Sequence, residues 1–422
     1  MGTTLKIRRT IGWLLAFGLA AYVAGASYVI VNELRAPLSA LVVGLPPQEA
    51  AKANASLVLL GVRRLADPQA AAKSREIAFA REAYRAEPLS ATALSVMVSA
   101  MPADAKRYAL LAEAGKLTRR NALLNEEQIK VAAKRGDDGT FFRWLSRSVL
   151  INNDLRSAYV GAMAQATGKA GAVAALAPVI GPEPSWSEFY WQQVVRYPAS
   201  LANAARLRLA VAKQPWHQTD ITPTDEKLML ALVSQRLFDT AQEFYRGLVN
   251  GRPMQGANLL ANGDFAKQPQ LAPFDWEVRT SGTLGATISN RDERLVVSAI
   301  GGARGTAARQ LVLLSPGIYQ LGWSLSSLAP IEASSITARI SCAERGVKSV
   351  SPAPVVLQIG RRNHSFAIAD GACRWHWLTI DVAVPDSGVG FDASFDDITL
   401  TRGVDGEDVG RTSIEENGGG GP

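Results

Sequence analysis

The sequence predicts a multidomain α + β protein with one transmembrane helix, an α-solenoid of helix-turn-helix repeats and a C-terminal antiparallel β-sandwich. Three observations lead to this prediction. Residues 11–31 form an apolar run without a charge, residues 47–252 space apolar residues three and four apart, and residues 256–402 alternate apolar with polar residues between turn signals. At 422 residues, 47% hydrophobic and 20% charged, the chain is long enough for two or three domains with cores of their own.

The apolar run at residues 11–31 is long enough to cross a bilayer. About 21 helical residues at 1.5 Å per residue span roughly 32 Å, which matches the thickness of the hydrocarbon core. Lys6, Arg8 and Arg9 precede the run, and no acidic residue does. Because basic flanks stay on the cytoplasmic side, we expect residues 1–10 in the cytoplasm and the bulk of the chain in the periplasm, as in a single-pass protein of the inner membrane.

A cleaved signal peptide is the alternative for this run. Ala24, Gly25 and Ala26 form the small-x-small pattern that a signal peptidase accepts. The apolar run continues past that pattern to Val31, whereas a cleaved peptide is usually followed by a polar start of the mature chain. The sequence therefore favours an uncleaved anchor, and both alternatives export the rest of the protein.

The two cysteines agree with export from the cytoplasm. Cys342 and Cys373 are the only cysteines in the chain, and such a pair in an oxidising compartment indicates a structural disulfide. Two free, buried thiols are the alternative. A zinc site is not expected, because no further Cys or His stands at ligand spacing.

Residues 47–252 are rich in Ala, Leu, Arg and Glu, and similar stretches recur along them. AREAYRAEPLSATAL at 80–94 is similar to LSRSVLINNDLRSAY at 145–159, an offset of about 65 residues, or two periods near 33. Helix pairs of this period bury their apolar faces by stacking, which predicts a helical repeat domain.

The same stretch resembles tetratricopeptide repeats. Ala83, Tyr84 and Pro88 stand where the small, aromatic and Pro positions of those repeats close one unit and open the next. The resemblance implies a surface that binds a partner protein. A solenoid that only spaces the next domain from the membrane is the alternative. The later aromatic residues are expected to be helix core rather than a ligand cage: Trp186, Phe189, Tyr190 and Trp191.

After residue 253, Gly, Ser, Thr and Val become more frequent and alternation replaces helical spacing. Turn signals such as Ser315-Pro316-Gly317 separate short strands. So many short strands in one segment predict an antiparallel sandwich. The expected strands lie at 283–289, 293–300, 308–314, 317–325, 335–343, 353–359, 362–369, 375–384 and 395–400.

Three motifs of this segment are similar to those of galactose-binding-like jelly rolls, the group that holds many carbohydrate-binding modules. NLLANGDF at 258–265 followed by Trp276 is similar to their opening, GIYQLGWSL at 317–325 to their central strand, and FDDITL at 395–400 to their last strand. The resemblance covers residues 258–402. It implies a non-catalytic binding domain, often for glycans.

The resemblance also implies a possible metal site. Many members of this group carry a structural Ca²⁺ between the first and last strands, and Asp264 and Asp397 are the nearest matches in this sequence. Calcium requires several oxygen ligands at one place. Solvated turn aspartates are the alternative.

Two tryptophans are the candidates for stacking on a sugar. Alternation in RWHWLTIDVAV places Trp375 and Trp377 on the face opposite Leu378 and Ile380, where their rings would be exposed. The same parity places Cys373 with the tryptophans. A disulfide in the core would then turn both rings inward, so the buried alternative stays open.

No catalytic site is expected. The three histidines form no metal-binding spacing, and no nucleophile elbow is present. The net charge of +7 comes without a Lys/Arg stripe interleaved with aromatics, which argues against nucleic-acid binding. The tail at 403–422 lacks apolar periodicity and is expected to be disordered.

These features together predict a membrane-anchored periplasmic binding or scaffold protein. Its repeats would bind a partner protein and its sandwich a glycan, such as a polysaccharide, or a second protein. Envelope polysaccharide synthesis or export is the expected setting, by fold analogy. A purely structural protein–protein adaptor and an accessory subunit of an envelope enzyme are the alternatives.

Overall fold

The computed structural model describes residues 2–68, 70–249, 258–289, 291–327, 335–346, 351–371 and 373–403. In these residues, fourteen α-helices precede ten β-strands. The predicted domain boundary at 252–256 lies outside the described residues, and so does the predicted disordered tail from residue 404 onward.

Helices α1 to α14 follow one another along the first part of the chain. Several begin at a polar side chain: Ser90, Asp104, Asn121 and Asp137 each accept a hydrogen bond from the backbone N–H three residues later. Such caps satisfy donors that a helix start leaves unpaired. The bounds are Gly2–Asn32, Pro37–Val43, Glu49–Ala66, Ser74–Ala86, Ala91–Ala100, Ala105–Leu117, Ala122–Arg135, Asp138–Ile151, Arg156–Ala166, Ala172–Ile180, Ser187–Val194, Leu201–Ala212, Pro223–Ser234 and Phe238–Leu248.

The chain forms two compact units, Met1–Tyr190 and Trp191–Pro422. The second unit contains both sheets and also helices α12 to α14. Phe238 of α14 contacts Trp375 of β9 in this unit.

In the first unit, α1 contains a segment that could cross a membrane. Ile11–Asn32 is 22 residues long with a mean hydropathy of 2.0, and almost none of it is buried. This confirms the predicted apolar N-terminal helix. Length and composition suit a membrane anchor and a signal peptide equally.

From α3 to α9, each helix packs against the next one in sequence. Helix α5 also contacts both α3 and α7. Buried carboxylates between them are paired, Glu76 with Arg63, and Glu127 with Arg64 and Arg107. The helical character of this region is confirmed, whereas the tetratricopeptide-like repeats remain a prediction. Of the four aromatic residues expected in the helix core, Trp186, Tyr190 and Trp191 are buried.

In the second unit, the ten strands form two antiparallel five-stranded sheets. The strand order is β1-β4-β9-β6-β7 in the first sheet and β2-β3-β10-β5-β8 in the second. All nine predicted strands overlap a strand of the structure, and only the two-residue β1 was not expected. The bounds of β1 to β10 are Glu277–Val278, Leu284–Ser289, Arg294–Ala299, Arg304–Leu313, Gly317–Ser327, Ile336–Cys342, Val355–Val356, Gly360–Ile368, Trp375–Ala383 and Phe391–Arg402.

Apolar residues of both sheets meet in one core. Alternate residues of each strand contribute to it, as the period of two requires. Examples are Leu321 and Leu325 of β5, Ile380 and Val382 of β9, and Phe395 of β10. Side chains between these positions lie on the outer faces of the sheets, which is where a ligand could reach them.

Candidate functional site on the β-sandwich

Strand β9 presents its two tryptophans on the outer face of the first sheet. Leu378, Ile380 and Val382 belong to the core between the sheets. Trp375 and Trp377 have the opposite parity, so they point away from that core. This outcome agrees with the alternation in the sequence and excludes the alternative that both rings turn into the sandwich.

Trp375 is nevertheless buried, because a helix covers it. Its ring lies 5.8 Å from the ring of Phe238 on α14 and 5.6 Å from that of Phe274, and only 2% of the residue is exposed. Tyr245 of α14 stacks on Phe274 at 5.8 Å. Trp375 therefore offers no ring face to a sugar, and its predicted role in glycan binding finds no support.

Polar contacts hold α14 and its N-terminal loop at the same place. Arg374 forms an ion pair with Asp239 at 3.5 Å, and Arg236 donates a hydrogen bond to the carbonyl oxygen of Ala343 at 3.4 Å. The ion pair is exposed and both contacts are long, so the aromatic contacts supply most of the stabilisation.

Trp377, by contrast, is half-buried and carries a guanidinium on its ring. The Cζ of Arg309, on the neighbouring strand β4, lies 4.3 Å from the ring centroid. Glu277 of β1 accepts a hydrogen bond from Nε of Arg309 at 2.7 Å. Burial acts to raise the pKa of Glu277, but hydrogen bonds from Arg309 and Arg279 outweigh it and lower that pKa. Arg309 is thus fixed on one side of the ring by a carboxylate that stays ionised.

A second ion pair lies at Asp381, four residues after Trp377 on β9. Asp381 accepts hydrogen bonds from Oγ1 of Thr306 at 2.8 Å and from Nε of Arg339 at 3.0 Å. In the register of the sheet, Thr379 lies directly between Arg309 and Arg339. Trp377 and Thr379 are therefore flanked by two fixed ion pairs. This group is called the Trp377 face below: Glu277, Arg309, Arg339, Trp377, Thr379 and Asp381.

The Trp377 face has the chemistry that a hydroxyl-rich ligand needs. An aromatic ring packs on apolar C–H groups, while carboxylates accept and guanidinium groups donate hydrogen bonds in a planar, two-pronged geometry. Each charged group is already held by a partner. Binding would therefore cost little side-chain entropy.

A shallow groove of about 450 Å³ lies elsewhere on the sandwich. It is lined by Ser281–Gly285 backbone and side-chain atoms, by residues 298–300 and by residues 390–392. Its one aromatic side chain, Phe391, is buried. The Trp377 face therefore offers the better platform for a ring-shaped ligand.

The predicted disulfide is present between Cys342 and Cys373. It joins the end of β6 to the residues just before β9. The sequence prediction of a bonded pair is confirmed. The bond lies beside Trp375 and fixes the end of β9 that α14 covers.

The opening motif at 258–265 and the last-strand motif at 395–400 lie side by side in the sandwich. Ile398 of β10 donates a backbone hydrogen bond to the carbonyl of Gly263 at 2.8 Å, and Leu259 donates one to Leu400 at 2.7 Å. A Cβ on Gly263 would collide with the carbonyl oxygen of Ile398, so only glycine allows this close approach.

The predicted calcium ligands are next to this contact but do not form a suitable donor set. The Asp264 side chain is exposed and accepts a hydrogen bond from the backbone of Ala266, and Asp397 pairs with the guanidinium of Arg361 at 3.0 Å. The described residues contain no group of three His, Cys, Asp or Glu that could hold a metal. A cation at Asp397 would have to displace the guanidinium of Arg361.

No protein-family model matches the chain, and no curated protein matches it. Several solved structures do. Three of them are carbohydrate-binding modules. TmCBM61 in complex with beta-1,4-galactotriose is 17% identical, with 35% of this chain and 99% of that chain covered and a TM-score of 0.25.

The other two modules are similar to the same degree. A CBM4 structure is 19% identical, with 34% and 99% covered and a TM-score of 0.27. The second N-terminal cellulose-binding domain of Cellulomonas fimi β-1,4-glucanase C is 18% identical, with 36% and 97% covered and a TM-score of 0.23. These modules match the β-sandwich.

His376, between the two tryptophans, gives a pH-dependent prediction. It is buried, and burial lowers its pKa against the opposing effects of the Arg374 backbone and the Glu344 charge. Its folded pKa is therefore below the unfolded value near 6.5, so the unfolded state binds more protons below that pH. We expect the free energy of unfolding to fall as pH drops below about 6.5, by at most about 1.4 kcal/mol per pH unit from this one group.

The measurement is urea unfolding of the native protein and the His376→Gln variant between about pH 5.5 and 7.5, where few carboxyl groups titrate. The difference in unfolding free energy between the two proteins should change with pH. A difference that is constant across this range would contradict the buried, neutral imidazole.

Proposed function

We propose that the β-sandwich binds a glycan on the Trp377 face and that the N-terminal helix anchors this binding domain to a membrane. The observation that carries the glycan proposal is the half-buried ring of Trp377, flanked by the ion pairs Glu277–Arg309 and Asp381–Arg339 on the outer face of the first sheet. An aromatic side chain packs on the apolar face of a sugar ring, and fixed donors and acceptors around it can bind the sugar hydroxyls.

Binding without catalysis is proposed for this face. Both of its carboxylates are held by guanidinium groups, Glu277 by Arg309 and Asp381 by Arg339. The lowered pKa of Glu277 makes it a poor proton donor near neutral pH. The strand order of the two sheets supports the further proposal that the sandwich is a jelly roll.

The membrane anchor and an extracytoplasmic position are proposed together. The apolar segment Ile11–Asn32 follows a basic N-terminus, which favours export of the residues after it. The Cys342–Cys373 disulfide is typical of an oxidising compartment such as the periplasm. For helices α3 to α9, the packing of each on the next supports a solenoid that binds a partner protein.

The glycan proposal is tested by removing the ring of Trp377. Full-length protein in nanodiscs is applied to an oligosaccharide array, and the best ligand is then titrated by calorimetry. Trp377→Ala should weaken its binding by about ten- to thirtyfold, because a stacking aromatic contributes roughly 1.5–2 kcal/mol. Trp216→Ala is the matched control, since Trp216 is a half-buried tryptophan of the same unit that lies off the sheets.

Equal loss in both variants would contradict a site at Trp377, because it would reflect general damage. Failure of the native protein to bind any glycan would contradict the proposal and favour the adaptor, in which the sandwich binds a protein.

A further inference from the structure

Helix α2 folds back along the end of α1. The backbone N–H of Ala36 donates to the carbonyl of Asn32 and that of Ala40 donates to the carbonyl of Ala36, so Ala36 links the end of α1 to the start of α2. Val29 of α1 is fully buried against Ala40 of α2 and Ala51 of α3. The side chain of Leu45, just after α2, occupies the place where a Cβ on Gly25 would lie. The segment from residue 37 to residue 45 therefore returns along α1 from Asn32 to Gly25.

This return brings α2 to the depth of the membrane-spanning segment. Gly25 is seven residues before Asn32, which is about 10 Å along a helix. The segment between Ile11 and Gly25 alone reaches only about 22 Å, less than the roughly 30 Å of a hydrocarbon core. Arg9 just before the run opposes a shift of α1 toward its N-terminus. A bilayer that contains α1 must therefore also surround the residues beside its last turns.

The surface of α2 fits that position. Leu38, Val42 and Val43 of α2 leave 38%, 87% and 39% of their surface exposed, and Leu34 in the preceding turn leaves 74%. No charged residue occurs between Arg35 and Glu49, so residues 36–48 are uncharged. These side chains continue the exposed apolar surface of Ile30 and Val31 at the end of α1.

We propose that α2 and the loop after it are embedded in the leaflet at the C-terminal end of α1, with acyl chains as the partner of Leu38, Val42 and Val43. This inference rests on the membrane anchor proposed above and adds a second contact with the lipid. Interfacial helices lie with their apolar face about 5–10 Å deep, which matches the depth to which Leu45 reaches along α1. A second protein copy is the less favoured occupant, because the apolar surface is continuous with a segment that itself faces lipid.

The second contact orients the first unit. Asn54 of α3 donates a hydrogen bond to the backbone carbonyl of Glu33 at 3.0 Å, so the start of α3 is tied to the turn between α1 and α2. Because α1, α2 and α3 pack together, the first unit would hold a fixed tilt against the bilayer instead of swinging on a single helix.

The test places a fluorescent NBD label at single positions of the full-length protein in liposomes. Both native cysteines form the disulfide, so an introduced cysteine is the free thiol under non-reducing conditions. Val42→Cys reports on α2, Leu19→Cys on the membrane-spanning segment, and Leu89→Cys on a 73%-exposed apolar residue elsewhere in the first unit. Doxyl-labelled phospholipids quench a label in the bilayer, and aqueous iodide quenches a label in water.

We expect doxyl lipids to quench the labels at 42 and 19 about twofold, and the label at 89 to be quenched by iodide only. A label at 42 that iodide quenches and doxyl lipids do not would overturn the proposal, because α2 would lie in water. Protection of that label from both quenchers would also overturn it, since protein would then cover the helix. An unquenched label at 19 would overturn the anchor itself, so the two failures are distinguishable.

Discussion

Replacing Trp375 by alanine is expected to destabilise the second unit by about 3–5 kcal/mol, the cost of removing a large buried aromatic side chain. The ring lies between Phe238 of α14 and Phe274, and its loss leaves a cavity between the helix and the sheet. Urea unfolding gives the free energy, and hydrogen exchange gives its location. The amides of α14 and β9 should lose protection together.

The matched control is Trp377→Ala, two residues away on the same face. That ring is half-buried and contacts the Arg309 guanidinium, so its removal should cost less than about 1.5 kcal/mol of stability. The two variants should therefore separate stability from binding. An unchanged stability of Trp375→Ala, with glycan binding lost, would mean that α14 does not cover this ring.

Replacing Arg208 by methionine is expected to lower the free energy of unfolding by about 3–5 kcal/mol, because removing one partner leaves the other charge of a buried ion pair without its counter-ion. Arg208 of α12 donates to both carboxylate oxygens of Asp225, at 2.8 and 3.1 Å, and to the carbonyls of Gln218 and Asp220. Both side chains are almost fully buried. Methionine fills part of the space but leaves a buried carboxylate and two carbonyls without these donors.

Arg206→Met is the control for this change, since Arg206 is exposed and donates a hydrogen bond to Asn203 of the same helix. It should shift the unfolding midpoint by little. Equal, small effects of both substitutions would indicate that water reaches Asp225 and that the pair contributes little to the packing of α12 on α13.

The sequence predicted the sandwich well because its strands carry a local signal. Alternation within each strand is enough to assign inner and outer residues, which is why the outward parity of Trp375 and Trp377 could be read from the sequence of β9 alone. The disulfide was predictable because a chain with two cysteines allows only one intramolecular pairing.

The burial of Trp375 could not be predicted in that way. Its cover, Phe238, lies more than a hundred residues earlier on a helix that the sequence groups with the repeats. Nothing in the local pattern of α14 shows that its aromatic residues pack on a sheet.

The charged part of the Trp377 face was missed because it depends on register. Trp377, Thr379 and Asp381 are two residues apart, so alternation along β9 was enough to place Asp381 on the same face as Trp377. Arg309 is found only from the pairing of β4 with β9, which sets residues about 70 apart side by side. The calcium prediction came from motif resemblance, which places Asp264 and Asp397 near each other but does not show that Arg361 pairs with Asp397.

The most direct test of the glycan-binding face is oxidative footprinting of the two tryptophans with and without the oligosaccharide selected on the array. Hydroxyl radicals should oxidise Trp377 in the free protein, saturating ligand should protect it, and Trp375 should resist oxidation in both states because α14 covers it. Oxidation of Trp377 that is the same with and without bound ligand would contradict the account.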